Sequence, residues 1–290
     1  MLEIQNVSKS YGNKYALKSC QLVVHEHEIV GILGQNGCGK STLFKSIMGL
    51  IDYDSGTIKY KSNVCDFNQR KRFGYMPEQR SLFLDLTVYE QLKFLGELKG
   101  LSIEYINKTV HDLLQRFDLM DKKEVNLNKL SKGQQQKVQL MAALLHNPDV
   151  LILDEPLNGL DFYSVQIVMH ELKIQASLGK IILISSHQMD FMDELCTHLL
   201  VLDQGNTLKQ GKLGDLYKEY GVCVSVNSDS LWQGISKSHK NMIEKGTFIE
   251  FQYANLSEAK KSMNLFCKET SISQIKLHNV SIGDMLRESV

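Results

Sequence analysis

Gly34-Gln35-Asn36-Gly37-Cys38-Gly39-Lys40-Ser41-Thr42 is the stretch that decides how the chain is read. An apolar run, Ile29-Val30-Gly31-Ile32-Leu33, precedes it, and Lys40 to Met48 follows with helical spacing. This is G-x-x-x-x-G-K-[ST] in a strand–loop–helix setting. Without Cβ atoms at Gly34, Gly37 and Gly39, the backbone can wrap round a polyphosphate and aim its N–H groups inward. The helix start adds the positive end of its dipole at the same place. Lys40 is then set to meet the β- and γ-phosphates, and the Ser41 hydroxyl to meet Mg²⁺. Cys38 reads as a small filler in the loop. The motif predicts a bound nucleoside triphosphate and leaves open what that triphosphate drives.

A second apolar run, Val150-Leu-Ile-Leu153, delivers two acids, Asp154 and Glu155. In a phosphate-loop fold, ligands collect at that strand end. Asp154 is expected to hold Mg²⁺, and Glu155 to polarise the attacking water. Between the two motifs lies Leu130-Ser131-Lys132-Gly133-Gln134. Ser131 and Gln134 have the spacing of a capping box. Free N–H groups at such a helix start are equally suited to a phosphate. Both readings stand at this level.

The surrounding pattern predicts an α/β fold: a phosphate-loop NTPase core with a mixed, mostly parallel sheet and an antiparallel flap at the N-terminus. Leu2–Val7 and Tyr15–Val24 supply the flap, with Tyr11 on the loop between them. From Thr87 to about Asn126 the spacing turns helical, with stripes at Val88, Leu92, Leu95, Leu98 and at Ile106, Val110, Leu113, Leu114, Phe117. A helical arm over about 85–147 therefore interrupts an ATPase domain of 1–218. Strands at Gly221–Val226, Thr247–Gln252 and Ile272–His278, with a helix at Ser257–Glu269, predict a small α+β accessory domain over 219–290.

Composition narrows the partners. Lys+Arg and Asp+Glu balance at 33 each, so no global field draws nucleic acid or an anionic membrane, and no nucleic-acid partner is expected. No apolar run approaches the ~20 residues that span a bilayer. The N-terminus lacks the basic start and apolar core of a secretory signal. Six cysteines, none in metal spacing, read as reduced thiols of a cytosolic protein.

The order of phosphate loop, Leu-Ser-x-Gly-Gln, hhhhDEP, Asn158-Gly-Leu-Asp161 and His187 after an apolar strand resembles the nucleotide-binding subunit of ATP-binding cassette (ABC) transporters. The resemblance covers about residues 1–215. Gly74-Tyr-Met-Pro-Glu-Gln79, Leu130–Lys137 and the appended C-terminal domain make it most similar to the ATPases of two-gene bacterial ABC-2-type exporters. Such a member is an ATPase that uses ATP and Mg²⁺ and powers export through a separate membrane permease.

The resemblance implies a role for each matching residue. Tyr11 would stack on adenine, and Gly34, Asn36, Gly37, Cys38, Gly39, Lys40, Ser41 and Thr42 would hold the nucleotide. Glu155 would be the base, acting with His187 and Lys40. Ser131, Lys132, Gly133 and Gln134 form the signature that closes on ATP held by the opposite subunit, and Asp161 belongs to the loop crossing that interface. Magnesium falls to Ser41, Asp154 and a residue of the coupling loop. In the last case two alternatives stand, because the usual Pro-Gln is here Pro77-Glu78-Gln79. Glu78 or Gln79 takes the glutamine's place.

The second departure is Lys132, where the family usually has glycine. The implied partners are a second ATPase subunit, as homodimer or heterodimer, and an integral membrane permease docking near Glu78–Leu86. Phe83, Leu84 and Leu86 are candidate apolar contacts there, with a local core as the alternative. Membrane contact would come only through the permease, at the cytoplasmic face of the cell membrane. The competing reading is a soluble ABC ATPase of the translation or DNA-maintenance type. A single cassette without long coiled coils argues against it. A non-hydrolysing nucleotide sensor is disfavoured by the presence of both Glu155 and His187.

Overall fold

The computed structural model describes residues 1–228, 242–245, 248–267 and 272–280. The chain divides into two units, Met1–Gln210 and Gly211–Val290.

The first unit opens with β1 (Leu2–Tyr11) and β2 (Lys14–Val24), then β3 (Ile29–Leu33) and α1 (Lys40–Met48). Next come β4 (Ser55–Tyr60), β5 (Asn63–Val64), the one-turn α2 (Phe67–Arg70) and β6 (Phe73–Met76). Two longer helices follow, α3 (Val88–Leu98) and α4 (Ile103–Arg116), and then α5 (Lys132–Leu144). The unit finishes with β7 (Val150–Asp154), α6 (Phe162–Ser177), β8 (Ile181–Ser185), α7 (Met189–Leu195), β9 (His198–Asp203) and β10 (Asn206–Lys212), whose last residues pass the division.

The strands sort into two sheets by their apolar pattern. β3, β7 and β8 are buried along their whole length, as strands covered on both faces must be. They form the middle of a six-stranded sheet, ordered β10-β9-β3-β8-β7-β6, in which β9, β3, β8, β7 and β6 run parallel. β1 and β2 alternate buried and exposed positions and lie in a separate four-stranded antiparallel sheet, β2-β1-β4-β5. The antiparallel flap is thus its own sheet. Tyr11 is the last residue of β1, paired with Lys14, and not part of a loop.

Helix boundaries follow local chemistry. Capping boxes start α3 (Thr87 with Glu90) and α5 (Ser131 with Gln134), and Asp161 caps α6 through the N–H of Ser164. Gly49, at φ +67°, closes α1 in the left-handed region that glycine enters freely. Phe44 and Ile47 of α1 are fully buried in the core beneath the loop. Each such side chain contributes roughly 1.5–3 kcal/mol.

In the arm, Val88 and Leu92 are fully buried, as are Ile106, Val110, Leu113, Leu114 and Phe117. Leu98, expected on the inner stripe, is instead exposed at the end of α3.

The second unit begins with α8 (Leu213–Tyr220). β11 (Val222–Ser228), β12 (Met242–Lys245), β13 (Phe248–Tyr253) and β14 (Ile272–Asn279) form an antiparallel sheet ordered β12-β13-β11-β14. Val224, Val226, Ile249 and Phe251 cover one face, against Ala259 and Phe266 of α9 (Leu256–Phe266). Thr247 and the last two positions predicted for that helix, 268 and 269, lie outside the described residues, as do 281–290 of the predicted accessory domain.

Candidate functional site

Parallel strands bring their carboxyl ends to one edge. There Asp154 sits opposite Ser185 in register, and Ser185 sits opposite Ile32, two residues before the phosphate loop. Three separate chain segments therefore converge: the loop after β3, Asp154-Glu155 after β7, and Ser185-Ser186-His187 after β8. This is the edge where an open α/β sheet takes ligands.

The loop depends on two glycines. Gly34 has φ +146°, and a Cβ there would come within 2.1 Å of the Leu202 carbonyl oxygen. Gly39 has φ +120°, and its Cβ would meet the Ala16 carbonyl oxygen at 2.2 Å. Neither position accepts a side chain. The turn between β9 and β10 pins the loop from below, with the Gly205 N–H donating to the Cys38 carbonyl at 3.0 Å. Cys38 itself is buried, which pushes its thiol pKa up and keeps it a thiol.

Around a cavity of about 250 Å³ stand Asn36, Gly37, Gly39, Lys40, Ser41, Thr42, Glu78, Asp154, Glu155 and His187. The Lys40 ammonium donates to the carbonyls of Gly34 (2.7 Å) and Gln35 (3.1 Å). Ser41 Oγ donates to Asp154 Oδ2 at 2.8 Å, and Ser185 Oγ donates to Oδ1 at 2.6 Å. Asp154 is 2% exposed. These hard oxygens, with Glu78 on the same wall, are the donor type that Mg²⁺ takes.

Glu155 is 5% exposed and holds φ +53°, a left-handed conformation that costs a non-glycine residue of order 1 kcal/mol. Its neighbours fix it there. Its N–H donates to Ser185 Oγ (2.9 Å), and its carbonyl accepts from Gln136 Nε2 (2.9 Å). Its carboxylate takes the His187 N–H at 3.3 Å, while His187 Nε2 lies 3.2 Å from Oε1 without hydrogen-bond alignment. Burial raises the carboxyl pKa above the ordinary value, and the charges of His187 and Lys40 oppose that rise. A raised carboxylate is a better proton acceptor, which suits a group that takes a proton from water.

The structure separates other expected residues from this cavity. Tyr11 is 55% exposed, with Lys9 Nζ 5.6 Å above its ring. Ser131 and Lys132 are exposed, and Ser131 and Gln134 form the capping box, Ser131 N–H to Gln134 Oε1 at 2.9 Å and Gln134 N–H to Ser131 Oγ at 3.2 Å. Gly133 packs close to the loop before Asp161: a Cβ on it would lie 3.3 Å from the Gly159 carbonyl oxygen. None of these residues borders the cavity. In the coupling loop, Glu78 lines the cavity wall and Gln79 does not. The carbonyls of Pro77 and Gln79 accept from Gln139 Nε2 at 2.7 and 3.4 Å. Phe83 and Leu84 stay exposed, and Phe83 meets Phe94 edge-on at 5.6 Å.

Sequence reading missed three supporting residues. Ser185 ends an otherwise apolar strand, and that lone hydroxyl was the available signal. Gln136 and Gln139 are buried amides three apart on α5, so the helix that carries Ser131 at its start holds Glu155 and the coupling loop further along.

A profile of the ABC transporter family matches residues 17–158. The whole chain aligns with an uncharacterized ABC transporter ATP-binding protein, YhaQ of Bacillus subtilis, at 33% identity over 98% of that protein. It is 34% identical to the Nod factor export ATP-binding protein I of Sinorhizobium fredii, across 77% of this chain and 66% of the relative. A solved dimeric ATP-binding cassette in a post-hydrolysis state, bound to ADP and Pi, superposes with a TM-score of 0.67 at 27% identity, covering 73% of this chain and 99% of that one. Among the described residues, no helix is long and apolar enough to cross a membrane.

Proposed function

This chain belongs to the ATP-binding subunits of ABC transporters and is an ATPase, and on that premise we propose that it powers export through a separate membrane permease by ATP-driven closure of a dimer. One observation carries the proposal. A phosphate cavity with its acids and its histidine is assembled in one chain, while the helix start at Ser131 is exposed and lines no part of it. Half a site of each kind is what a head-to-tail pair of such chains, or of this chain and a paralogue, would join. The dimeric relative bound to ADP and Pi supports that arrangement.

Within each site, backbone N–H groups of the loop and the Lys40 ammonium orient the triphosphate, and Tyr11 stacks on the base. Ser41, Asp154 and Glu78 would hold Mg²⁺, which neutralises charge on the β- and γ-phosphates when bound. Glu155 accepts a proton from the attacking water, and His187 orients Glu155 and contacts the γ-phosphate. Ser131 and Gly133 of the opposite chain close on that phosphate, and Asp161 lies at the crossing. Because a ligand shifts an equilibrium only by its differential affinity, ATP must favour the closed pair by contacts from both chains. Losing the γ-phosphate removes them and the pair opens.

The exposed Phe83 and Leu84, beside a loop tied to α5 by Gln139, form the surface through which a permease would sense this movement at the cytoplasmic face of the membrane. The export direction is supported by the Nod factor export relatives. The test is Glu155→Gln. It keeps the shape and removes the base, so steady-state ATPase should fall about 10²-fold or more while ATP binding persists. ATPase equal to the parent's would remove Glu155 from its role. Recovery of the chain with ribosomes instead of a membrane protein would restore the soluble reading.

A further inference from the structure

Tyr11 ends β1 beside the phosphate loop, and its neighbours decide which of its faces a base can reach. β1 and β2 slip by one position between the pairs Lys9–Leu17 and Ser10–Tyr15, which leaves Ala16 as the extra residue of a β-bulge. The Ala16 carbonyl oxygen is the group that leaves no room for a Cβ on Gly39, and a Cβ on Gly205 would lie 3.1 Å from it. The bulge therefore sets the tip of the hairpin against the phosphate loop, with Tyr11 one pair beyond Ser10–Tyr15.

Lys9 and Tyr11 are two apart on the strand and share a face. The Lys9 ammonium lies over the Tyr11 ring, 5.6 Å from its centroid and within cation–π range. Asp54 holds it there. Asp54 Oδ1 accepts from Lys9 Nζ at 3.1 Å, while Oδ2 accepts from the Ser10 N–H at 2.7 Å and the Ser10 hydroxyl at 2.5 Å. The Asp54 N–H donates in turn to the Ser8 carbonyl at 2.8 Å. The bonds from Ser10, with that from Lys9, keep the Asp54 carboxyl below its ordinary pKa, so it is ionised at neutral pH. A lone surface ion pair would fix little. Here one carboxylate grips two successive residues of the strand that carries Tyr11. The Lys9 side chain is only 18% exposed, whereas Tyr11 is 55% exposed: the cation is covered and the ring is open.

We propose that Lys9, anchored by Asp54, is a positioning residue for the nucleotide base: it occupies one face of Tyr11, orders the ring before nucleotide arrives, and leaves the opposite face as the platform for adenine. A ring ordered only by the base would lower affinity by its own ordering entropy, and a ring already held avoids that loss. The inference rests on Tyr11 as the stacking residue proposed above. It does not depend on the two-chain site, because Tyr11 and the phosphate loop belong to the same chain.

The test measures three quantities on the full-length chain: calorimetric affinity for Mg-ADP, competition by inorganic pyrophosphate as the base-free probe, and KM and kcat for ATP. Lys9→Ala should weaken Mg-ADP about three- to tenfold and change pyrophosphate by less than about twofold, which also shows that the loop remains folded. KM should rise while kcat holds, as for a loss of uniform binding. Asp54→Asn should weaken Mg-ADP in the same sense. Lys9→Arg keeps a cation over the ring and should restore most of the affinity. In a Tyr11→Ala chain, adding Lys9→Ala should weaken Mg-ADP no further. Equal weakening of Mg-ADP and pyrophosphate by Lys9→Ala would make Lys9 a phosphate contact and overturn the proposal. So would a further loss in the Tyr11→Ala background, or a Lys9→Ala chain that binds Mg-ADP like the parent while Tyr11→Ala binds it weakly. If Tyr11→Ala itself binds Mg-ADP like the parent, stacking on Tyr11 fails, and this inference with it.

Discussion

The cavity behind the phosphate loop and the start of α5 are the two halves of the proposed two-chain site, yet they are finished to different degrees. In the cavity the key groups are buried and cross-linked: Ser41 and Ser185 hold both oxygens of Asp154, and Ser185 also holds the Glu155 backbone. At the α5 start the side chains are exposed, and only the capping box fixes them. The cavity can orient its groups before any partner arrives. The helix start is shaped by its capping box within one chain and stays exposed. The same helix joins the two regions, because Gln136 and Gln139 reach from it to the Glu155 carbonyl and the coupling loop.

The largest effect that separates the two regions comes from Lys40→Ala compared with Ser131→Ala. Removing the Lys40 ammonium should abolish nucleotide binding by the single chain and lower ATPase about 10²–10³-fold. Ser131→Ala should leave single-chain binding in place and still lower turnover; losing the cap costs about 1 kcal/mol of stability. Nucleotide titration at dilution and ATPase at working concentration make the comparison. Equal loss of single-chain binding in both variants would break the distinction.

A middle-sized effect belongs to Ser185→Ala. It strands Asp154 Oδ1 and the Glu155 N–H, both buried, at about 1–3 kcal/mol. Thermal unfolding should show a lower Tm, together with slower hydrolysis, since Glu155 then loses a restraint on its strained backbone. An unchanged Tm would mean that the cavity is less cross-linked than described.

The smallest effect lies just past the far end of α5. His146 is held at the Phe73 carbonyl by Nε2, 3.0 Å away. Burial, aided by the Lys99 charge, pushes its pKa down from 6.5 to about 4. The folded state thus favours the neutral ring, whereas the unfolded chain takes up a proton near 6.5. Stability should fall as pH drops from 6.5 towards 4, and His146→Gln should flatten that part of the profile in denaturant titrations. A parent profile that is flat there would place the ring in water.

Much of this was legible in the chain. Lys40, Asp154 and Glu155 could be read because their motifs specify the backbone: a glycine loop between strand and helix, and acids at a buried strand's end. The accessory strands β11, β13 and β14 were legible from their alternation. Short elements were not. The one-turn α2 and the eight-residue α8, with Gly214 inside it, give too few turns for periodicity to register. The choice between Glu78 and Gln79 could not be made from spacing, because it depends on which residue the turn after β6 presents to the cavity wall. Ser185 was invisible for a similar reason. Its importance comes from its register against Asp154, which only the assembled sheet displays.

The two-chain site is tested most directly by sedimentation of the Glu155→Gln protein with and without ATP, alone and with Ser131→Ala added. The Glu155→Gln chain should run as a monomer without nucleotide and as a dimer with ATP, and Ser131→Ala should return it to monomer. A Glu155→Gln chain that stays monomeric at saturating ATP, or a dimer indifferent to Ser131→Ala, would contradict a site completed by a second copy of this chain.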